Sequence, residues 1–352
     1  MSTCSLPFPV RQTANGYQFY AFVLGITSLH RDGDEWLLSN YVQLIWDEGS
    51  HVRLCFYIGD YAASPLVETI RLTQPWLKGS CGPDILAFIR RQVRDGYYVY
   101  LNVDEFYIPH RRIHQVTHAS HDILVRGFDD EAGTLEVVGF DADRAFASHT
   151  IPQEAFTQAW SAHQEMDSAF QHLHLYRLLP DAHYTFNPEQ VAAFLQEYVS
   201  GANTALYFGG APDAYGLNLY KAFPAATGRV YGLRVYEVLQ RRLTAHLAGE
   251  GSIDIRDVHV FWEHKALMVA RLERIARDIP LPGALIQEAR ELEVQAKSLY
   301  LAYMMHEVAP ERGGLERLVA ELPRTRRRDA ALCQALLEAI ASSRTGGDQE
   351  CR

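Results

Sequence analysis

Residues 96–143 read GYYVYLNVDEFYIPHRRIHQVTHASHDILVRGFDDEAGTLEVVGFDAD, and this stretch decides the fold. Its first part, residues 97–103, is dense in aromatic and β-branched side chains, which favour strands. Two further strand-like runs, 121–127 and 134–140, are joined by FDDEAG, whose Asp and Gly residues are typical of a hairpin turn. The stretch therefore predicts three strands close together in an antiparallel sheet.

The flanking sequence predicts a mixed unit of helices and strands around this sheet. Helical patterns cover residues 17–30, 36–46, 83–93 and 153–160. Strand patterns cover residues 53–58 and 171–179. We therefore predict a first domain of α+β type that spans residues 1–183.

Beyond residue 184 the sequence is helical. Asn187 can cap a helix, and Pro188 fits in its first turn without the loss of a needed hydrogen bond. Apolar side chains recur at helical spacing in residues 188–200, 229–247, 254–277, 283–307, 314–321 and 328–342. We predict an all-α helical domain over residues 184–352, so the fold class of the chain is α+β followed by a helical bundle.

The composition excludes several classes of protein. The 33 Lys and Arg residues and 43 Asp and Glu residues give a net charge of −10, which disfavours binding to nucleic acid or to an anionic membrane. The 5 cysteines are scattered without a CxxC pair, so neither a disulfide scaffold nor a zinc ribbon is predicted. With no pattern of a signal peptide or membrane span, we expect a cytoplasmic protein.

A histidine and an aspartate are the first candidates for catalysis. His121 opens one predicted strand and Asp141 follows the next, a layout that brings the two side chains to one edge of the sheet. A histidine oriented by a carboxylate can act as the base in acyl transfer. The spacing fits slightly better a His121 that only opens a strand and an Asp141 that only begins a turn, and both interpretations stay open.

The same stretch resembles a known family. Residues 103–109 (VDEFYIP) and 121–129 (HDILVRGFD) resemble the papain-like domain of bacteriocin-processing peptidases and, more closely, the N-terminal domain of butirosin biosynthesis protein H and its relatives. In the helical half, residues 253–256 (IDIR) and 261–265 (FWEHK) are similar to proteins of this type encoded beside nonribosomal peptide synthetases. The first resemblance covers about a third of the chain.

The resemblance implies a papain-like fold for the first domain and an acyltransferase of natural-product biosynthesis. The implied donor is an acyl or peptidyl thioester on a carrier protein, and the implied acceptor is a small amine or hydroxyl compound. The phosphopantetheine arm belongs to the carrier protein, so no cofactor of the chain itself is implied.

The family's nucleophile, a Cys at the start of the first long helix, has no counterpart in residues 12–18 (QTANGYQ). Three explanations stay open. His121 could act as a general base without a covalent intermediate, with Asn15 or Gln18 donating hydrogen bonds to the oxyanion. The domain could be catalytically inactive and bind a carrier protein or peptide. Cys81 could instead be the nucleophile of a cysteine peptidase or hydrolase, because the start of a helix just after it would lower its thiol pKa.

Two further polar residues, Asp104 and Tyr107, lie where the first predicted strand ends. They are candidates for binding the substrate, and Asp104 could also orient the base. The favoured interpretation is that Asp104 ties down its own loop through backbone hydrogen bonds. Four histidines crowd residues 110–121, but they lack the spacing of a zinc motif, so no metal site is predicted.

Residues 324–328 (RTRRR) form the one dense basic run. We expect this run to connect two helices. It could dock an acidic carrier protein, although solvated charge is the ordinary interpretation.

Overall fold

The computed structural model describes residues 3–9, 14–58, 62, 64–81, 84–166, 172–202, 229–310 and 314–347. The described chain divides into two compact units. The first unit holds the described residues up to 34 and those from 62 to 184. The second holds residues 35–58, 185–202 and all described residues from 229 on.

Strands and helices are mixed in the first part of the chain, and helices predominate after β9. In chain order the strands are β1 (Thr3–Ser5), β2 (Leu44–Asp47), β3 (Leu54–Phe56), β4 (Val67–Thr73), β5 (Tyr98–Asp104), β6 (Ser120–Asp129), β7 (Thr134–Phe140), β8 (Phe146–Pro152), β9 (His172–Leu178) and β10 (Arg229–Tyr231). The helices are α1 (Gln18–Thr27), α2 (Gly33–Asn40), α3 (Gln74–Cys81), α4 (Ile85–Arg94), α5 (Gln153–His163), α6 (Pro188–Ser200), α7 (Val235–Leu247), α8 (Ile255–Ile275), α9 (Gly283–Val308) and α10 (Leu315–Gly347). The predicted α+β class, with a helical C-terminal region, is confirmed.

The first unit is built on a seven-stranded antiparallel sheet. Six strands follow the order β4-β9-β5-β6-β7-β8, and β1 pairs with the far end of β6. The register of β5 against β6 sets Val103 opposite His121 and Asp104 opposite Ser120. The three strands predicted from residues 96–143 are therefore neighbours at the centre of the sheet.

Helices cover both faces of this sheet. On one face, Val99 and Leu101 share an apolar cluster with Phe156 and Trp160 of α5. On the other face, the ring of Phe22 in α1 lies 5.8 Å from the ring of Tyr100. The strands alternate between these two layers because successive side chains point to opposite faces.

The predicted first domain, residues 1–183, included residues 35–58. They cluster with the second unit. In that unit β2 pairs with β3 on one side and with β10 on the other, with Trp46 opposite both Leu54 and Val230. The strand β10 lies about 180 residues after β2 in the sequence, and its pairing with β2 places residues 35–58 in the second unit. Local periodicity in the sequence cannot reveal a pairing between strands so far apart.

Three helical predictions also change. The predicted helix 36–46 ends early, because α2 stops at Asn40 and residues 44–46 belong to β2. Residues 229–231 form the strand β10 and not the start of a helix. The segments 314–321 and 328–342 belong to the single helix α10, which contains Pro323. The basic run 324–328 consequently lies within a helix. One of its members, Arg328, forms an ion pair with Glu288 of α9 at 2.6 Å.

A buried carboxylate joins four helices of the second unit. Asp329 of α10 accepts hydrogen bonds from Tyr198 of α6 at 2.7 Å, Tyr236 of α7 at 3.0 Å and Lys265 of α8 at 2.5 Å. These four side chains are almost fully buried. Burial raises the pKa of Tyr198 and of Tyr236 well above the ordinary value, with Asp329 adding to the shift, so both hydroxyls stay protonated and donate.

Within the ranges given above, none of the helices combines the length and the apolar character that crossing a membrane requires.

Candidate functional site

The candidate site lies where β6 begins and α1 starts. Gln18 is the first residue of α1 and is buried. His121 is the second residue of β6, and its side chain is 44% exposed. Nδ1 of His121 lies 2.7 Å from Oδ1 of Asp122 and 3.0 Å from Nε2 of Gln18. One side of the histidine ring thus faces a carboxylate and an amide.

The hydrogen-bond partners of the Gln18 side chain fix the orientation of its amide. Its Oε1 accepts from the backbone N–H of Phe140 at 2.6 Å and from Nη1 of Arg111 at 3.1 Å. Both partners can only donate, so this end of the amide is the oxygen. The two N–H bonds of Gln18 are then directed to the backbone oxygen of Asp122 at 2.9 Å and to its Oδ1 at 2.7 Å.

The hydrogen bonds of Gln18 also determine the tautomer of His121. With both amide hydrogens of Gln18 donated to Asp122, none remains for Nδ1 of His121. Nδ1 therefore carries a hydrogen and donates it to the Asp122 carboxylate. In the neutral ring, Nε2 is left with a free lone pair, and among the described residues no side chain is hydrogen-bonded to it. A half-exposed ring in this state can accept a proton from a bound molecule.

A buried arginine supports this arrangement. Arg111 forms an ion pair with Glu105 at 3.2 Å and donates to the backbone oxygen of Phe140 as well as to Gln18. Burial lowers the pKa of Arg111, and the nearby carboxylates, Glu105 first, oppose that shift. The guanidinium is a fixed positive charge beneath the site, and its contacts hold Gln18 in place.

The charges around His121 shift its titration and that of its partner. Burial of one side of the ring lowers the pKa of His121, but the Asp122 carboxylate, their hydrogen bond and Glu105 outweigh it, so the pKa is raised. Burial also raises the pKa of Asp122, yet His121, Gln18 and Arg111 together leave it lowered. The pair is therefore a stable imidazolium–carboxylate ion pair at moderately low pH and a carboxylate with a neutral base above the raised pKa.

The carboxylate that orients His121 is Asp122, and the prediction of Asp141 in that role is wrong. Oδ1 of Asp141 accepts from the backbone N–H groups of Asp143 and Ala145, both at 2.9 Å. The Asp141 side chain thus closes the turn between β7 and β8. Its other oxygen lies 3.8 Å from Nε2 of His149. The plainer interpretation, in which Asp141 begins a turn, is the one that the contacts support.

The two candidates at the end of β5 do not contact His121 either. Asp104 is buried and accepts from the backbone N–H groups of Phe106 and Ala119, both at 3.1 Å, and its Oδ2 lies 2.6 Å from Nδ1 of His118. Tyr107 packs against the apolar cluster, with its ring 5.9 Å from that of His118. Asp104 therefore ties down its loop, as the favoured interpretation had it.

Of the predicted residues near the start of α1, only Gln18 has a described contact with His121. Asn15 lies three residues before the helix and is partly buried. Gln18, at the start of the helix, is the residue that contacts the histidine ring. No thiol or hydroxyl group of the described residues is hydrogen-bonded to His121.

Cys81 does not lie at the start of a helix, as its proposed activation required. It is the last residue of α3. The next helix, α4, begins at Ile85 and is capped by Asp84, whose side chain accepts from the N–H of Ala87. The Cys81 side chain is outside the described part of the chain.

The described residues contain no group of three or more His, Cys, Asp or Glu side chains arranged to hold a metal ion.

A glycine leaves room for this network, which yields a first prediction. A Cβ added at Gly139 of β7 would lie 2.5 Å from Oε1 of Gln18 and 2.7 Å from Nη1 of Arg111. We expect Gly139→Ala to displace both groups and to destabilise the first unit by about 1–3 kcal/mol. Hydrogen exchange of α1 and β7, followed by mass spectrometry, measures the change.

The matched control is Gly79→Ala. Gly79 lies in α3 of the same unit, and a Cβ there meets nothing within 4 Å. Because alanine favours helix over glycine, this variant is expected to be as stable as the wild type or slightly more so. Equal protection of α1 and β7 in both variants would show that the Gly139 contact is not needed.

The residue that sequence reasoning missed is Asp122. Asp122 is adjacent to His121 in the sequence, which could have drawn attention to it. Strict alternation, however, predicts that neighbouring strand residues point to opposite faces. At the start of β6 this rule fails, since the two side chains meet at 2.7 Å.

No family model matches the chain, and neither does any curated protein.

Proposed function

We propose that the first unit catalyses acyl transfer from a carrier-protein thioester, with His121 as the general base and Asp122 as its partner. The acceptor is a small amine or hydroxyl compound that attacks the thioester carbonyl directly. The proton of the acceptor passes to Nε2 of His121 and then to the departing sulfur, so the C–S bond breaks as the new acyl bond forms. No covalent enzyme intermediate is required in this scheme.

The observation that carries the proposal is the state of the His121 ring. Nδ1 donates to Asp122, which Gln18 holds in place, and the Nε2 side is free among the described residues. A base must present a lone pair to the proton that it abstracts, and the hydrogen-bond accounting leaves that lone pair on Nε2. A thioester is reactive enough to be attacked by an amine with such help.

The sequence resemblance supports the same class of reaction. Butirosin biosynthesis protein H and its relatives act on acyl groups held on carrier proteins, and the implied pathway is the assembly of a nonribosomal peptide or polyketide product. A cytoplasmic location is part of the proposal, because the free thiols of Cys55 and Cys333 fit a reducing compartment.

A second candidate function is a catalytically inactive papain-like module that binds a carrier protein or peptide. The specific observation in its favour is Gln18, an unreactive amide that contacts the histidine at the start of α1, where the family carries its nucleophile. The third interpretation is a cysteine hydrolase that uses Cys81, the last residue of α3.

The test uses the full chain with an acyl-pantetheine thioester as donor and ethanolamine as acceptor. We expect the amide product to form faster than in a protein-free control, as measured by liquid chromatography and mass spectrometry. Binding of the thioester without any product would overturn the enzyme proposal and favour the binding module. A stable acyl adduct on Cys81 would overturn the direct-transfer mechanism.

A further inference from the structure

A second histidine of the first unit is hydrogen-bonded to a serine. Oγ of Ser120, the first residue of β6, lies 2.7 Å from Nε2 of His163, the last residue of α5. The imidazole is fully buried, whereas Ser120 is partly exposed. A hydroxyl within hydrogen-bond reach of a histidine is the arrangement by which proteins activate serine as a nucleophile.

The electrostatics keep this histidine ready to accept a proton. Burial lowers the pKa of His163, and the nearby Asp104 carboxylate offsets part of that shift. The ring is therefore neutral at pH 7, and in the tautomer protonated on Nδ1 its Nε2 accepts the hydroxyl hydrogen of Ser120. Asp104 acts on His163 at a distance, because its Oδ2 is paired with His118.

This pair is separate from the His121 site. Ser120 contacts α5, and α5 covers the sheet face that carries Val99 and Leu101. His121 contacts Gln18 of α1, the helix that packs against Tyr100 on the opposite face. The two side chains are neighbours in sequence but belong to different layers of the unit.

We infer that Ser120 is a nucleophile for activated acyl groups, that is, for esters and thioesters, with His163 as its base. The Ser120 oxygen forms a bond to the acyl carbon, and the bond from that carbon to the leaving sulfur or oxygen breaks. The hydroxyl proton goes to Nε2 of His163 and then to the leaving group. Water subsequently cleaves the acyl ester and returns a proton to the Ser120 oxygen, which closes the cycle.

The test is covalent labelling of the full chain with diisopropyl fluorophosphate, which forms an O–P bond with an activated serine and releases fluoride. Peptide mapping by mass spectrometry is expected to find one modified serine, Ser120. Ser120→Ala abolishes the adduct. Ser148→Ala serves as the matched control and keeps it, because Ser148 lies in β8 of the same sheet and its hydroxyl has no hydrogen-bond partner among the described residues.

The role of His163 is tested in two ways. His163→Gln is expected to slow labelling of Ser120 about 10²-fold or more. Because that residue is buried and its variant could fail to fold, a second pair of variants, Ser120→Cys and Ser161→Cys, compares the rates of thiol alkylation by iodoacetamide; Ser161 lies in α5 of the same unit and is more exposed than Ser120. Ser120→Cys is expected to react faster, since a neighbouring base promotes the thiolate.

Absence of an adduct at Ser120 in the wild type overturns the inference, as does equal alkylation of the two cysteine variants. Labelling does not depend on turnover of a thioester by His121. The inference and the proposed function can therefore fail independently.

Discussion

Replacement of His121 by Gln is expected to lower the rate of acyl transfer from acyl-pantetheine to ethanolamine about 10²- to 10⁴-fold, the usual contribution of a positioned general base. The physical reason is that glutamine offers no basic nitrogen where Nε2 of His121 accepts the proton. The fold should persist, because the ring is 44% exposed and fills no part of the core. The measurement is the initial rate of amide formation, with circular dichroism as the check on folding.

The control is another exposed histidine of the same unit. His183 lies 3.7 Å from Asp32 and is more exposed than His121. His183→Gln should react at the wild-type rate. If His121→Gln also reacts at that rate, His121 is not the base.

The pH dependence supplies a separate readout for the same site. His121 acts as a base only when it is neutral, so the rate should rise with pH through its raised pKa and then level off. The inflection is expected above about pH 6.5, the ordinary value for histidine. In Asp122→Asn the charge that raises this pKa is removed, although Glu105 and Arg111 remain, and the inflection should move to lower pH. An unmoved inflection would assign the titration to another group.

The largest effect on stability is expected for Asp329→Ala in the second unit. The substitution leaves the Lys265 ammonium buried without its partner, and it leaves the hydroxyls of Tyr198 and Tyr236 without an acceptor. Breaking a buried ion pair in this way costs about 3–5 kcal/mol. Since a chain of two units need not unfold in one step, hydrogen exchange of α8 and α10 is the appropriate measurement.

Two further variants separate the causes. Asp329→Asn retains an acceptor for the two tyrosines and removes only the negative charge, so it should cost less than Asp329→Ala. Glu273→Ala breaks the exposed ion pair with Arg290, which spans 2.7 Å in the same unit. Exposed pairs contribute about 0–1 kcal/mol, so this control should be close to wild type. Equal losses for Asp329→Ala and Glu273→Ala would contradict the importance of burial.

The central strands were predictable because their signals are local. The aromatic and β-branched run that forms β5 and the turn residues between β6 and β7 act within a few positions of one another. The strands β1, β2, β4, β8 and β10 were missed, and of these β4 and β8 lie at the two edges of the larger sheet. Because β4 and β8 are edge strands, their apolar residues do not form continuous runs. In β8, for example, the sequence is FASHTIP.

The candidate site was predicted in part. His121 and Gln18 were recognised from the sequence, and the structure brings their side chains to 3.0 Å. Asp141 was predicted to be the partner of His121 because it follows the strand that pairs with the strand of His121. The turn that follows β7 uses its carboxylate instead, since two backbone N–H groups there need an acceptor. The Asp141 carboxylate therefore satisfies the backbone of its own turn and does not pair with His121.

The sequence by itself determined the α+β class, the central antiparallel strands, the helical C-terminal half and the position of His121 near the start of a strand, because each depends on the order of side chains along a short segment. Only the tertiary structure decided which groups surround that histidine and which strands complete the second unit. Gln18, Arg111 and Asp122 meet because α1 packs on the sheet at the start of β6. Contacts between residues so far apart depend on packing and on the satisfaction of buried polar groups, and neither is encoded in local periodicity.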